Sequence, residues 1–401
     1  MKHVIIGAGA AGIAAASTIR KFKPSDEIVI VSADEAVHSR CMLHSFISGD
    51  RDEKRISFVD EDYFAKNNIR WIAGQTVEKI ENGHVYFANT SESYDKLLIA
   101  TGAESIELPL LRNAQNVYGL RHLSDAKKIR DHAQNVNNIV IIGAGLVGLD
   151  AAYALQAIGK KPTVVDLAQN ILPLNLDEYA ARMYQKKFEE AGCVFKLGSK
   201  VVDAEKSGVN VDALMLDSGE KLPCDMVIVA IGSRPAVGFL HGEFGTKCDY
   251  GVTVDKYLAT EVANIYAAGD VAGLSGVWPN AVDQGEVAAK NMCGIPAIYD
   301  DKFAVKNTMN YYAIPTLSLG VITPEEGDNC KTRIYRGNYK KVILRGGKVV
   351  GVIMQGDIAH TGFWQQLIKS SIDVSKFESV FDLSFADFYG VADNGEYEWA
   401  V

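Results

Sequence analysis

Apolar positions along the chain alternate between short, uniformly hydrophobic runs and longer Ala/Leu-rich stretches of helical period. Residues 4–6 and 139–142 are β-branched runs, too short and too evenly apolar for anything but buried parallel strands. Each leads into an Ala/Leu-rich helix, ending near Lys21 in the first case and near Gly159 in the second. Further strands at residues 27–31 and 162–166 complete two βαβ units with the expected right-handed crossover. After the second unit, "DEYAARMYQKKFEEAG" predicts a helix, and "VNVDALML" and "DMVIVAIG" predict strands of a small α/β domain. From about Phe239 the pattern changes, and strand-like "NIYAAGD" with helix-like "AVDQGEVAAKNMCG" predicts a return to the first domain. Beyond Ile295 the chain turns strand-rich and aromatic, and "RIYRGNYKKVILRGGKVVGVIM" predicts hairpins through Gly-containing turns.

The chain repeats itself: "VIIGAGAAGIAAA" near the start returns as "VIIGAGLVGLDAA" from Val140. Gly7, Gly9 and Gly12 form GxGxxG between a strand and a helix, and Gly143, Gly145 and Gly148 repeat it. The first glycine permits the tight turn, the second lets backbone approach a pyrophosphate, and the third lets the helix lie close on the strand. The helix start, with Ala10 and Ala11 in one copy and Leu146 and Val147 in the other, then offers free N–H groups and partial positive charge to phosphates. An acidic residue about 20 residues past the glycines should bond an adenosine ribose. Asp166 meets this in the second copy, and because no arginine follows it directly, NADH is favoured over NADPH. In the first copy Ser32 holds that position, with Asp34 or Glu35 placed to substitute from a shifted turn.

Composition narrows the class without changing this picture. Apolar residues make up 48% and charged residues 23%, as in an ordinary soluble globular chain. A net charge of −9 disfavours nucleic acid, whose phosphates need an excess of Lys and Arg. No apolar run approaches the ~20 residues of a membrane span. The start on strand-like "KHVIIG", without a leader pattern, predicts a cytoplasmic location. The six cysteines (Cys41, Cys193, Cys224, Cys248, Cys293 and Cys330) form no CxxC pair, so no zinc site or dithiol motif is expected. His360 lacks visible ligand partners, and no metal is expected there either.

The two glycine units, "LLIATGA" at residues 97–103, "VIVAIGSRPA" at 227–236 and "IYAAGDVA" at 265–272, in this order, resemble the FAD/NAD-dependent pyridine nucleotide–disulfide oxidoreductase superfamily. The resemblance implies that Thr101, Gly102, Gly269 and Asp270 contact a non-covalent FAD, Asp270 through a ribityl hydroxyl, with Val77 beside them. It places Asp150 near the nicotinamide and adds Gly232 to the NAD contacts. "HSRCMLHSFISG" is similar to the "YxRxxLxxxxxG" segment of the single-cysteine branch, with His38 in place of tyrosine. That branch comprises NADH oxidases, coenzyme A disulfide reductases, NADH:rubredoxin reductases and nitrite reductase flavoproteins. Arg40 then becomes a flavin-side contact. The segments "VKNTMNYYAIPTLSLGV" and "MQGDIAHTGFWQQLIKSSIDVSKF" resemble the interface domain of the rubredoxin and nitrite reductase-like members.

On that segment Cys41 coincides with the redox cysteine of the oxidases and coenzyme A disulfide reductases. A helix N-terminus and adjacent Arg40 would favour its thiolate, and with no second cysteine nearby an oxidised state would be a sulfenate or a mixed disulfide. Equally, Cys41 reads as a small apolar residue packed beside the flavin on the apolar face of "CMLHSF". Oxidases of this branch tend to carry a histidine in the first glycine loop, where this chain has "GAGAAG". Trp278 and Pro279 are candidates to shape the flavin edge, and Tyr311, Tyr312, Phe363 and Trp364 read as a core or dimer surface.

The expected fold is therefore α/β, with two Rossmann-like dinucleotide-binding domains and a C-terminal α+β interface domain. FAD would occupy a discontinuous domain of residues 1–110 and 240–297, NADH an inserted domain of 111–239, and residues 298–401 would support dimerisation or docking. The implied activity passes hydride from NADH to FAD, then electrons to a rubredoxin- or iron–sulfur-type carrier or partner subunit. The alternatives are a disulfide, persulfide or polysulfide reductase or an NADH oxidase working through Cys41, and a redox-responsive NAD/FAD-binding subunit of a larger complex. Residues 331–341 offer a local basic patch for an acidic carrier.

Overall fold

The computed structural model describes residues 1–240, 250–300 and 306–399, so Cys248 lies outside the described residues. Contacts divide the chain into two compact units. The first, residues 1–168 and 191–300, holds two five-stranded sheets. In one, Lys2–Ile6 lies between Glu27–Val31 and Lys96–Ile99, with Ile69–Ile72 and Ile265–Ala267 at the edges, all parallel. In the other, Ile139–Ile142 lies between Thr163–Asp166 and Met226–Val229, with Val194–Leu197 and Val117–Tyr118 outermost, again all parallel. Strands 2–6 and 139–142 are buried on both faces because layers cover both sides, which is why their sequences run apolar without alternation.

Alternation still sorts the side chains. Ile5, Ile28, Ile30 and Leu98 meet the helices Ala10–Phe22 and Trp278–Met292 through Ala15, Ile19, Ala288 and Met292. Val4, Ile6, Val29, Val31, Leu97 and Ile99 meet Val77, Val85 and Phe87 on the opposite side. Each such side chain contributes about 1.5–3 kcal/mol by leaving water. The two helices approach so closely that a Cβ at Gly285 would run into the Ala11 carbonyl, and this contact brings the return helix beside the first glycine turn. The chain crosses between the halves twice, and the outgoing and returning segments, Ala103–Ser105 and Ser233–Pro235, pair antiparallel.

The second unit joins Gln169–Glu190 to the described residues from 306 onward. Its antiparallel sheet runs in the order 306–311, 314–320, 348–355, 338–345, 329–335. Helix Thr361–Lys369 buries Phe363, Trp364 and Leu367 against Leu317, Val342, Val352 and Met354. Helix Glu178–Glu190 takes the other face: Tyr184 and Phe188 pack on Tyr311, Phe188 also on Tyr312, and Asp177 accepts from Tyr339 Oη at 2.6 Å and pairs with Lys341 at 3.1 Å. The sequence pattern put this helix within residues 111–239, whereas its aromatic stripe finds its partners on the C-terminal sheet. His360, at the left-handed N-cap of helix 361–369, only begins that helix. No helix among the described residues is long and apolar enough to cross a membrane, and no group of His, Cys, Asp and Glu there could hold a metal.

Candidate functional site

The two glycine turns are near-copies in three dimensions. Gly7 and Gly143 adopt φ of +108° and +112°, a region closed to other residues at acceptable strain. A Cβ on either would strike a neighbouring strand end, the carbonyl of Ala100 or of Ala230. Their N–H groups donate to Val31 and Val165 carbonyls, both at 2.8 Å. Gly9 (φ −80°, ψ −170°) and Gly145 (φ −79°, ψ −172°) cap the helices Ala10–Phe22 and Leu146–Ala157, and a Cβ on either meets open space. Gly12 and Gly148 lie against the carbonyls of Gly7 and Gly143, so any side chain there would lift the helix off its strand. Each turn thus presents a bare backbone concavity and unbonded helix N–H groups, which fits a dinucleotide pyrophosphate.

Around the first turn lies an open cavity at the carboxyl ends of the sheet. Its wall contains Gly7, Gly9, Ala10, Ala11, Ser32, Asp34, Arg40, Val77, Thr101, Gly102, Gly269 and Asp270, so the structure brings these candidate FAD contacts together, with the candidate redox residue Cys41 in the same wall. Gly12 is buried behind the wall in its packing role. Trp278 lines the cavity too, held edge-on to Phe58 at 4.8 Å, while Pro279 is exposed outside the wall. Glu35 stays outside the wall, packed against Gly74.

Sequence reasoning missed a charged network in this wall. Arg40 Nη2 lies 3.0 Å from Asp34, and its Nη1 donates to the Arg121 carbonyl at 2.7 Å. His122 Nδ1 pairs with Asp34 at 3.2 Å and its Nε2 with Glu104 at 3.0 Å. Arg121 pairs with Asp270 and donates to the Ala103 carbonyl at 3.0 Å. Burial raises the Asp34 carboxyl, but the His122 hydrogen bond and the Arg40 charge outweigh it and hold it at about 2. Hydrogen bonds to Asp34 and Glu104, opposed by burial, raise His122 to about 9. Glu104 is lowered, first by its bond to His122. The available signal was "LRHLSDA", an Arg-His pair followed by Asp125, whose carboxylate accepts from His122 N at 2.9 Å at the start of helix Leu123–Ala133. Gln284, which no sequence pattern marks, is fully buried, and its Oε1 accepts from Gly269 N at 2.8 Å and fixes the turn leading to Asp270.

Cys41 sits in a single 3₁₀ turn, Arg40–Met42, before a five-residue helix, Leu43–Ile47. So short a helix has little dipole, and Arg40 is turned toward Asp34 instead of the thiol. Cys41 reaches solvent at the cavity mouth, yet crowding by protein atoms pushes its thiol up, and the nearby Asp150 charge adds to this. The charge of Arg121 favours the thiolate, but the net effect of the surroundings is to oppose it. His44, three residues on, lies 3.7 Å from Asp150 and links this helix to the start of helix 146–157.

The candidate NAD contacts gather at the carboxyl ends of the second sheet. Gly143, Gly145, Leu146, Val147 and Gly148 form the turn and first helical residues, Asp166 ends one neighbouring strand, and Gly232 (φ +110°) follows the other. Asp150 is half-buried on the same helix. Asp166 also grips the turn, accepting from Ala144 N at 2.6 Å and Ala168 N at 2.7 Å.

Residues 1–285 match the family model described as Pyridine nucleotide-disulphide oxidoreductase, and residues 306–372 the one described as Rubredoxin NAD+ reductase C-terminal domain. The chain is 28% identical to the nitrite reductase (NAD(P)H) of Bacillus subtilis (strain 168), over 94% of this chain and 48% of that protein. It is 30% identical to the NADH-dependent phenylglyoxylate dehydrogenase subunit epsilon of Aromatoleum evansii, over 95% of this chain and 94% of that one. The solved covalent putidaredoxin reductase–putidaredoxin complex contains a chain that superposes with a TM-score of 0.83 at 25% identity, covering 93% of this chain and 94% of that chain. The chain thus spans about half of the nitrite reductase and nearly all of the other two.

Proposed function

The chain belongs to the pyridine nucleotide-disulphide oxidoreductase family, and on that premise we propose that it is an NADH-oxidising flavoprotein that delivers electrons to an iron–sulfur or rubredoxin-type protein. The observation that carries this reading is the pair of matching glycine turns, one opening into a cavity walled by the FAD contacts that the sequence nominates. FAD, when bound, supplies the hydride acceptor and the ability to release electrons singly. The protein's part is orientation. Gly7, Gly9 and the helix start at Ala10 would receive one diphosphate, and Gly143, Gly145 and the start at Leu146 the other. Asp166 would accept from the NADH ribose, with no arginine directly after it to receive a 2′-phosphate, and Asp150 would face the nicotinamide.

In this reading residues 1–110 and 240–297 hold FAD, 111–239 apart from the segment 169–190 hold NADH, and 298–401 with that segment serve a partner or a second subunit. The epsilon subunit and the putidaredoxin reductase, by their names, work with partner proteins, which supports a protein acceptor here. The raised Cys41 thiol argues against a resting thiolate and so against a disulfide or persulfide route. The basic stretch 331–341 is a weaker docking face than its composition suggests, since Arg333 pairs with Asp382 at 2.7 Å and Lys341 with Asp177.

The test is anaerobic mixing of the yellow protein with NADH, then with separate acceptors. NADH should bleach the flavin without a long-wavelength thiolate–flavin band, and a ferredoxin or rubredoxin should reoxidise it faster than a disulfide or polysulfide does. A band that vanishes in Cys41→Ser, with polysulfide the faster acceptor, would overturn the reading in favour of the cysteine route. A chain that refuses FAD would overturn it altogether.

A further inference from the structure

Ser32 stands where the first glycine unit should have its sugar-binding acid, and it is not available for that work. It is 4% exposed, its Oγ donates to the Asp34 carbonyl at 2.9 Å, and it accepts from Trp71 Nε1 at 3.0 Å. Four more polar side chains of the wall are engaged as well: Asp34 by Arg40 and His122, Glu104 by His122, Asp270 by Arg121, and Thr101 by the Ala236 carbonyl at 2.9 Å, while Gln75 and Thr76 of the wall reach solvent. His38 differs from all of these. It lines the same cavity and is 5% exposed. Its Nδ1 lies 2.9 Å from the Ala36 carbonyl, and because a carbonyl only accepts, the ring proton belongs on Nδ1. Nε2 is then a bare lone pair, and it is buried with no hydrogen-bond partner. Burial, outweighing the bond to Ala36, pushes the ring's pKa down, which keeps it neutral. A buried acceptor left unpaired is costly, so the site is built to receive a donor.

We infer that His38 is a positioning residue for FAD, its Nε2 accepting a hydrogen bond from a sugar hydroxyl of the dinucleotide in place of the missing strand-end carboxylate. The inference rests on the FAD reading of this cavity. Two parts of FAD carry such hydroxyls, the adenosine ribose and the flavin ribityl chain. The segment bearing His38 follows strand Glu27–Val31, on the side of the sheet where a Rossmann unit holds its ribose.

The test strips flavin from the protein and measures dissociation constants for FAD, FMN and ADP in wild type, His38→Phe and His38→Gln. His38→Phe should bind FAD about tenfold more weakly, the loss of one hydrogen bond to a buried acceptor. His38→Gln, which keeps an acceptor oxygen, should recover most of that loss, and NADH affinity should be the same in all three. A loss shared with ADP assigns the hydroxyl to the ribose, and one shared with FMN assigns it to the ribityl chain. His38→Met, also without a strong acceptor, replaces the phenylalanine variant if circular dichroism shows the latter unfolded. Wild-type FAD affinity in His38→Phe or His38→Met, or a glutamine variant as weak as they are, overturns the inference. Wild-type protein that takes up no FAD refutes the flavin reading instead.

Discussion

Replacing His122 by glutamine removes the cation at the centre of the cavity-wall network. In the folded chain the hydrogen bonds to Asp34 and Glu104 raise this imidazole from its ordinary 6.5 to about 9. At about 1.4 kcal/mol per tenfold, that difference corresponds to about 3 kcal/mol in favour of the charged form. A quarter of the side chain meets solvent (25%), and screening brings the figure nearer to about 2 kcal/mol. Because the folded-state value is the higher one, the stabilisation is complete below about pH 6.5 and disappears as pH rises through about 9. Asp34, held at about 2 by the same contact, reports the same energy from the acid side, so the pair is counted once. Urea unfolding of flavin-free protein at about pH 6 and about pH 10 should show the wild-type advantage over His122→Gln shrinking by about 2 kcal/mol at the higher pH. Histidine NMR titration should place the His122 midpoint near 9, and Asp34→Asn, which removes the larger of its two supports, should lower it by roughly one pH unit or more. A wild-type midpoint at or below its ordinary 6.5, or a stability difference equal at both pH values, would refute the network's assigned strength.

Valine at Gly12 or Gly148 would collide with the Gly7 or Gly143 carbonyl, overpacking that costs about 1–3 kcal/mol and distorts the turn. Gly12→Val should lose its yellow colour, while Gly148→Val should stay yellow and resist bleaching by NADH; the reverse pattern would exchange the two cofactor assignments. Asp166→Ala removes the grip on Ala144 N and Ala168 N together with the ribose acceptor, and calorimetry should find NADH binding weaker by about tenfold or more. Unchanged affinity would show that Asp166 serves the turn alone. Crowding by protein atoms raises the solvent-accessible Cys41 thiol, so its alkylation by iodoacetamide, followed by mass spectrometry against Cys41→Ser, should climb with pH through a midpoint above its ordinary 9.0. A rate already at its plateau near neutral pH would contradict a raised thiol.

The twin turns were legible because backbone geometry dictates them residue by residue. Positive φ at Gly7 and Gly143, and carbonyls pressed against Gly12 and Gly148, admit only glycine, so the spacing survives in the sequence as a readable pattern. The same holds for the doubly buried strands, whose unbroken apolar runs follow from being covered on both faces. What the sequence could not state is which distant groups meet. Asp34 and His122 are 88 positions apart, and neither residue's local pattern names the other. Helix 178–190 advertises an aromatic stripe, but an apolar face specifies only that it will be covered, and tertiary packing chose the C-terminal sheet. Cys41 follows Arg40 in sequence, yet packing turned the guanidinium toward Asp34 and left the thiol crowded and raised. Local backbone rules are written in adjacent residues, whereas charge pairing and desolvation depend on distances that exist only once the chain has folded.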